Sequence, residues 1–252
     1  MKRFYYGILT MVSALLLVGC HFSENLDLNE DGTGKISINF DGSELMKMGG
    51  DKVSEGKKEE IDSILVFKDF LEKNKDSISK LPTDQQEKLH RLKDFEMHMV
   101  VNSELGKMNM DMYKDFGDVS ELGDVLRDLK IAMTMSGKKL GKNNAQTPAG
   151  MTISEDDGTR VKYNFKNNKF SRITEIIDAE KVKKNVDSLE QMRMFLASSK
   201  YKLKYSFPRK IIKMSSDKAT FSLDAKSFTL EVGFIEFMEN PKILDVEVEL
   251  EK

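Results

Sequence analysis

The sequence predicts an α+β fold: an antiparallel β-sheet built from hairpins, with several amphipathic helices packed on it. Three observations carry that expectation. Apolar and polar residues alternate with period two on both sides of turn-forming clusters, the signature of paired, half-buried strands. Between those hairpins stand apolar stripes at helical spacing. From Tyr201 onward, short alternating segments follow one another, which suits a sheet with one wet face better than parallel strands buried on both.

The chain starts with Lys2 and Arg3, runs almost wholly apolar from Phe4 to Val18, and reaches Gly19-Cys20 at once. That order of charged, apolar and small residues is the order of a cleaved secretory signal. The apolar run has about fifteen residues, short of the roughly twenty that a helix needs to cross a bilayer. Leu17-Val18-Gly19-Cys20 resembles the lipobox of bacterial lipoproteins. The resemblance implies lipidation of the Cys20 sulfur, cleavage before Cys20, and fatty-acyl chains such as palmitate holding the mature chain to a membrane. Each buried methylene contributes about 0.8 kcal/mol, so two chains hold firmly. The alternative is an ordinary signal that happens to contain a cysteine.

Cys20 is the only cysteine. Once lipidated it leaves no thiol for a disulfide, a nucleophile or a cysteine metal site. The expected organisation is a signal over 1–19, the lipidated cysteine with a short tether over 20–25, and a single domain over 26–252. If that domain divides, the place is 137–159, where apolar periodicity fades and Gly, Asn, Pro and Asp take over. Five tether residues span under about 20 Å, which keeps the domain close to the headgroups.

Without its signal the chain has 38 basic and 42 acidic side chains, and neither sign forms a block. Nothing in this points to a nucleic-acid surface. A hydrophobic fraction of 39% against 33% charged suits a folded, soluble domain.

The elements follow in order. Leu26-Asp27-Leu28 and Ile36 to Phe40 alternate around Asp31-Gly32-Thr33-Gly34, a hairpin whose expected pairs are Leu28 with Ile36 and Leu26 with Ile38. Ile61, Ile64, Leu65 and Leu71 recur at helical spacing, interrupted by Lys68. A shorter helix starts at Thr83, with Gln86 completing a capping box. Phe95 to Tyr113 forms a second hairpin around Ser103 to Gly106, with Asn102 facing Lys107, Met99 facing Met110, Met97 facing Met112 and Val101 facing Met108. Asp118 caps a helix bearing Leu122, Val125, Leu126 and Leu129. The third hairpin runs from Arg160 to Phe165 and back from Phe170 to Ile176, around Asn167-Asn168, since Asn tolerates the positive φ of a tight turn. Asp178 caps a helix with Val182, Val186, Leu189, Met192 and Leu196 on one face, and Ile177 is placed to staple against Val182. Strands close the chain at Tyr201–Phe207, Ile211–Met214, Thr220–Leu223, Phe228–Val232 and Leu244–Leu250.

Leu26 to Phe40, with Asn29-Glu30-Asp31-Gly32-Thr33-Gly34 at its centre, is similar to the strand-turn-strand that opens many envelope lipoproteins of the LppM-like and related uncharacterised families. Tyr201 to Ile212, broken by Pro208, is similar to a segment near their C-terminal end. The resemblance covers about thirty residues, contains no catalytic motif, and implies an exported α+β domain.

Four constellations bear on chemistry. His21, His90 and His98 lack the spacing of a zinc hydrolase and read as solvent-facing. Asp27, Asn29, Asp31 and Gly32 match the first half of a calcium loop, but Ile38 stands where the bidentate glutamate belongs, so a turn is preferred. Met97, Met99, Met108, Met110 and Met112 are the candidate soft-metal ligands, since thioethers suit Cu(I). Alternation places them on one sheet face, where Met is an adaptable core filler, and the core reading is preferred. Lining a pocket for an apolar ligand is the third possibility. No nucleophile elbow, β-lactamase-type set or phosphate loop is present.

The expectation is therefore a non-enzymatic binding or structural module of the cell envelope, with no cofactor and no site residue beyond Cys20. Its partners are the membrane, through Cys20, and an envelope protein or an apolar ligand. The alternative is a carrier or sensor with an apolar cavity between sheet and helices. His21, not aspartate, follows Cys20, which favours the outer membrane.

Overall fold

The computed structural model describes residues 21–49, 60–123, 125, 127–132, 157–190 and 193–252. The signal, Cys20, Met192 and all but the last three residues of 137–159 lie outside them. Among the described residues the strands are β1 (His21–Leu28), β2 (Gly34–Asp41), β3 (Glu60–Val66), β4 (Glu96–Asn102), β5 (Lys107–Phe116) and β6 (Thr159–Lys166). They continue as β7 (Lys169–Ile176), β8 (Lys200–Ser206), β9 (Ile211–Met214), β10 (Thr220–Phe221), β11 (Ser227–Gly233) and β12 (Val246–Leu250). They make an eight-stranded sheet in the order β10-β11-β8-β1-β2-β5-β4-β3 and a four-stranded sheet in the order β6-β7-β12-β9.

The two sheets share one core. Leu26, Ile36, Ile38, Met112, Tyr201, Leu203 and Leu230 of the large sheet belong to the same buried cluster as Val161, Phe170, Val246, Val248 and Leu250 of the small one. The other face of the large sheet is polar and self-bonded. Asn39 donates to Asp111 Oδ1 at 2.7 Å, Asn25 to Ser37 Oγ at 3.2 Å, and Lys202 pairs with Glu231 at 2.8 Å. Period-two alternation thus sorts β1, β2, β5, β8 and β11 between an apolar interior and a wet exterior.

The large sheet is mixed, which corrects the purely antiparallel expectation. β1 lies antiparallel to β2 but parallel to β8, with Phe22 level with Tyr201 and Leu26 level with Tyr205. Alternation reports which face a residue occupies and says nothing of strand direction. A parallel neighbour arrives by a long crossover, invisible to hairpin spacing.

β1 also begins earlier than the alternation from Leu26 suggested. The residues read as a tether, His21 to Asn25, are strand, and Phe22 and Glu24 are buried. The first hairpin keeps the expected faces but pairs Leu26 with Ile36 and Leu28 with Gly34, two residues from the expected register. Its turn explains the shift. The Asn29 N–H donates to the Thr33 carbonyl at 2.8 Å, Asp31 Oδ1 accepts from the Thr33 N–H at 3.1 Å, and Gly32 sits at φ +86°. Gly34 is needed for space: a Cβ there would stand 2.1 Å from the Asp27 carbonyl oxygen.

The second and third hairpins have the expected registers. Met99 faces Met110, Met97 faces Met112, and Asn102 faces Lys107. Asn167 and Asn168 take φ of 54° and 61°, the left-handed pair of a two-residue turn.

Helices differ more. The stretch from Ile61 is not helical to Leu71: β3 pairs with β4 up to Val66, and α1 (Ser43–Gly49) before it is followed by α2 (Phe67–Lys73) only after the strand ends. Ile61 and Leu65 pack on the core while Ile64 points outward, 61% exposed, which is strand alternation. After α3 (Lys75–Ile78), α4 (Thr83–Arg91) starts where expected, but its N-cap is Pro82 and no capping box forms. Gln86 instead donates to the carbonyls of Leu81 and Ser79. Asp118 accepts from the Ser120 N–H, capping a short 3₁₀ turn, Val119–Glu121, and the helix proper holds Val125 and residues 127–132. Asp178 caps α5 (Ala179–Ser188) through the Lys181 N–H at 3.1 Å. Val182 and Val186 on its apolar face are only half-buried and Ile177 stays 58% exposed, so the expected staple is not a closed one. α6 (Arg193–Leu196) precedes β8, and α7 (Phe234–Glu239), which period counting missed, follows β11 with Phe234 and Phe237 buried.

Candidate functional site

A buried ion pair joins the two sheets four residues after Cys20. Glu24 occupies a core-facing position of β1, between Phe22 and Leu26, and is 1% exposed. Across the interior stands Arg172 of β7, 2% exposed, whose Nε and Nη2 donate to Glu24 Oε1 and Oε2, each at 3.3 Å. Arg172 Nη1 donates to the Leu244 carbonyl at 3.4 Å. Three tyrosines complete the shell. Tyr163 of β6 donates its hydroxyl to Oε1 at 2.6 Å, Tyr201 of β8 donates to Oε2 at 3.0 Å, and Tyr205 of β8 donates to Oε1.

The strand geometry makes this cluster possible. Residues two apart share a face, so Tyr201, Leu203 and Tyr205 all point inward beside β1. The parallel register sets Leu203 level with Glu24, which leaves Tyr201 and Tyr205 flanking the carboxylate. Tyr163 and Arg172 face each other in the antiparallel pair of β6 and β7, so both reach it from the opposite sheet.

Burial pushes the Glu24 carboxyl up, but the Arg172 charge and the hydrogen bonds from Tyr163, Tyr205 and Arg172 outweigh it and hold it below its ordinary value. Arg172 is held well above its usual range: burial opposes this, and the Glu24 charge prevails. Burial, then the Glu24 charge, drives the Tyr201 and Tyr205 phenols well up. The cluster is thus one fixed anion, one fixed cation and phenols that remain donors. It is closed to solvent and acts as a clamp between β1 and the small sheet.

The residues singled out from sequence fall elsewhere. Met97, Met108, Met110 and Met112 are buried in the main core, and Met99 is half-buried against it. A core role predicts that Met99→Leu and Met110→Leu, which conserve volume, each cost under about 1.5 kcal/mol in denaturant unfolding. A Cu(I) competition titration with the double variant as control is the contrary check: tight binding lost on substitution would make this row a metal site. His21 and His90 are exposed, and His98 bonds to Asp62 at 2.8 Å. Asp27 to Gly32 form the hairpin turn, with Ile38 buried in the core. Among the described residues no group of three or more His, Cys, Asp or Glu side chains is placed to hold a metal ion. No helix among them is long and apolar enough to cross a membrane.

Sequence reasoning missed the clamp because Glu24 was read as tether. The available signal was Phe22-x-Glu24-x-Leu26-x-Leu28, an alternation that continues through a single carboxylate. Arg172, Tyr201 and Tyr205 occupy the same kind of inward position in their own strands.

No protein-family model matches the chain, and no curated protein matches it. Among solved structures it is similar to the folded domain of the Mycobacterium tuberculosis LppM protein, determined by NMR. The two are 6% identical with a TM-score of 0.39, over 92% of this chain and 88% of that one. The likeness is distant.

Proposed function

We propose that the chain is a lipoprotein of the cell envelope, held to a membrane through Cys20, whose domain is a non-enzymatic binding module. The observation that carries this reading is the start of β1. The lipobox-like Leu17-Val18-Gly19-Cys20 runs without a spacer into an interior strand of the large sheet, and Glu24 locks that strand to the small sheet. An acyl anchor on Cys20 would therefore hold the rigid body itself. The outer membrane is favoured, since His21 stands where a retention signal of the enterobacterial kind has aspartate.

A protein partner is better supported than an apolar ligand. The Met face is packed into the core. Meanwhile Phe221 and Leu223 are 50% and 110% exposed at the tip between β10 and β11, and Ile212 is 62% exposed beside them, where the Ile211 N–H donates to the Ala225 carbonyl. This tip adjoins Ser227, level with Ser206 and so with Asp27, at the end of β1 opposite Cys20. Seven residue steps of roughly 3.3 Å separate the two ends of β1 by about 23 Å, which turns the apolar tip away from the anchored end.

Metabolic labelling with a fatty-acid analogue tests the anchor. The unaltered chain is expected to take up label and fractionate with membranes, and Cys20→Ser to do neither. Label retained by Cys20→Ser would overturn the reading.

A further inference from the structure

Lys114 occupies a position that its strand reserves for apolar residues. Along β5, Met108, Met110, Met112 and Phe116 are buried on the core face, and Lys114 takes the place between the last two. Its ammonium lies 4.7 Å from the centre of the Phe95 ring. Burial pushes this amine below its ordinary value, with Asp128 and Asp94 opposing from a distance. Among the described residues Lys114 forms no ion pair. A half-buried ammonium with an aromatic face beside it but no paired counter-charge among the described residues is costly, and buried charges are ordinarily paired or bound to an ion.

The place it faces is an open cleft of about 530 Å³ between β5, the turn at 120–123 and β6. Arg91, Arg127, Arg160 and Lys162 line the same cleft, against the carboxylates of Glu121 and Asp128. Asp128 is 4% exposed and is engaged by Arg91 Nη2 at 2.6 Å, so it positions that guanidinium. Among the described lining residues five cations stand with two anions. Arg91 is held by Asp128 and Lys162 by Glu175, each at 2.6 Å, so the uncompensated positive charge rests on Lys114 and Arg160, which form no ion pair among the described residues. The volume is that of a small-molecule site. Planar guanidinium forks match phosphate oxygens two at a time, and ammonium groups add point charge.

We propose that this cleft is a binding site for a multiply charged phosphate-bearing anion, with Lys114 at its floor. The site does not depend on the Cys20 anchor. Lys114 lies level with Ile36 and through it with Leu26, so the cleft sits in the half of the molecule away from residue 21.

Thermal unfolding of the full chain in neutral detergent tests it, at constant ionic strength set with chloride. The probes are inorganic phosphate, pyrophosphate and, as a lipid-headgroup source, dihexanoyl phosphatidylglycerol. Pyrophosphate is expected to raise Tm in a saturable way, because a ligand of the folded state alone stabilises it by mass action. Lys114→Met continues the apolar row of β5, so it is expected to keep or raise Tm without anion while weakening pyrophosphate at least tenfold. Arg160→Gln, at an exposed position of β6, is expected to weaken it at least threefold with no change in basal Tm. A stronger response to the short-chain lipid than to pyrophosphate would assign the phosphate to a headgroup, and the reverse to a free anion. No response to any of the three, or equal responses in the unaltered chain and both variants, would overturn the site.

Discussion

Glu24→Gln is expected to destabilise the domain by about 3–5 kcal/mol, because it leaves the Arg172 guanidinium buried without its counter-charge. Glutamine keeps the shape but accepts at only one of the two positions, and its NH2 meets donors from Arg172 and a tyrosine at the other. The loss therefore reports the charge and its hydrogen bonds more than packing. Adding Arg172→Met removes the stranded cation. The double variant should then be more stable than Glu24→Gln alone, with a coupling energy of roughly 2 kcal/mol or more from urea unfolding of all four forms. Additive single effects would mean that the two groups do not act as a pair.

The same clamp sets a pH dependence. The folded-state carboxyl of Glu24 is held below its ordinary value of 4.5. A depressed carboxyl contributes stability that is fully present above the unfolded value and is lost as pH falls through the folded one. The stability gap between the unaltered chain and Glu24→Gln should therefore be constant near neutrality and narrow below about pH 4.5. The Tyr201 and Tyr205 phenols, pushed well above their ordinary value of 10.0, leave stability undisturbed between neutrality and that value and lower it beyond, where the unfolded chain ionises first.

How much of this was legible depends on how local the controlling interaction is. The β4–β5 and β6–β7 hairpins were readable because a short loop fixes both register and direction, and Asn167-Asn168 names its own turn. Ile61, Ile64 and Leu65 satisfy a helical spacing as well as a strand one. Pairing with β4 decided between them, and that information lies more than thirty residues away. The parallel match of β1 to β8 depends on partners nearly 180 residues apart, and so does the clamp, since Glu24 has no local partner that would mark it. Lys114 was hidden for a different reason. In a Met-rich alternating strand, a lysine at an inward position looks like the end of the pattern until the opposing cations of β6 are seen across the cleft.

Val248→Asp is expected to unfold the domain or to cost at least about 4 kcal/mol, the upper range for a single substitution. Val248 is 2% exposed and stands at the middle of β12, between Phe170 of β7 and Met214 of β9. Burying a valine side chain contributes about 1.5–3 kcal/mol. Aspartate forfeits that and adds an unpaired carboxylate in an apolar interior, where it must pay desolvation or take up a proton. Typical domains hold about 5–15 kcal/mol in total, so little margin remains. Glu247, one residue earlier, points to the wet face and is exposed. Its backbone already bonds to Ser215 in both directions, and a side-chain change leaves those bonds alone. Glu247→Lys should therefore shift stability by about 0.5 kcal/mol or less. Denaturant midpoints of the two variants give the contrast directly. Similar losses at 247 and 248 would show that β12 does not present alternate faces to core and solvent, and would take the register of the small sheet down with it.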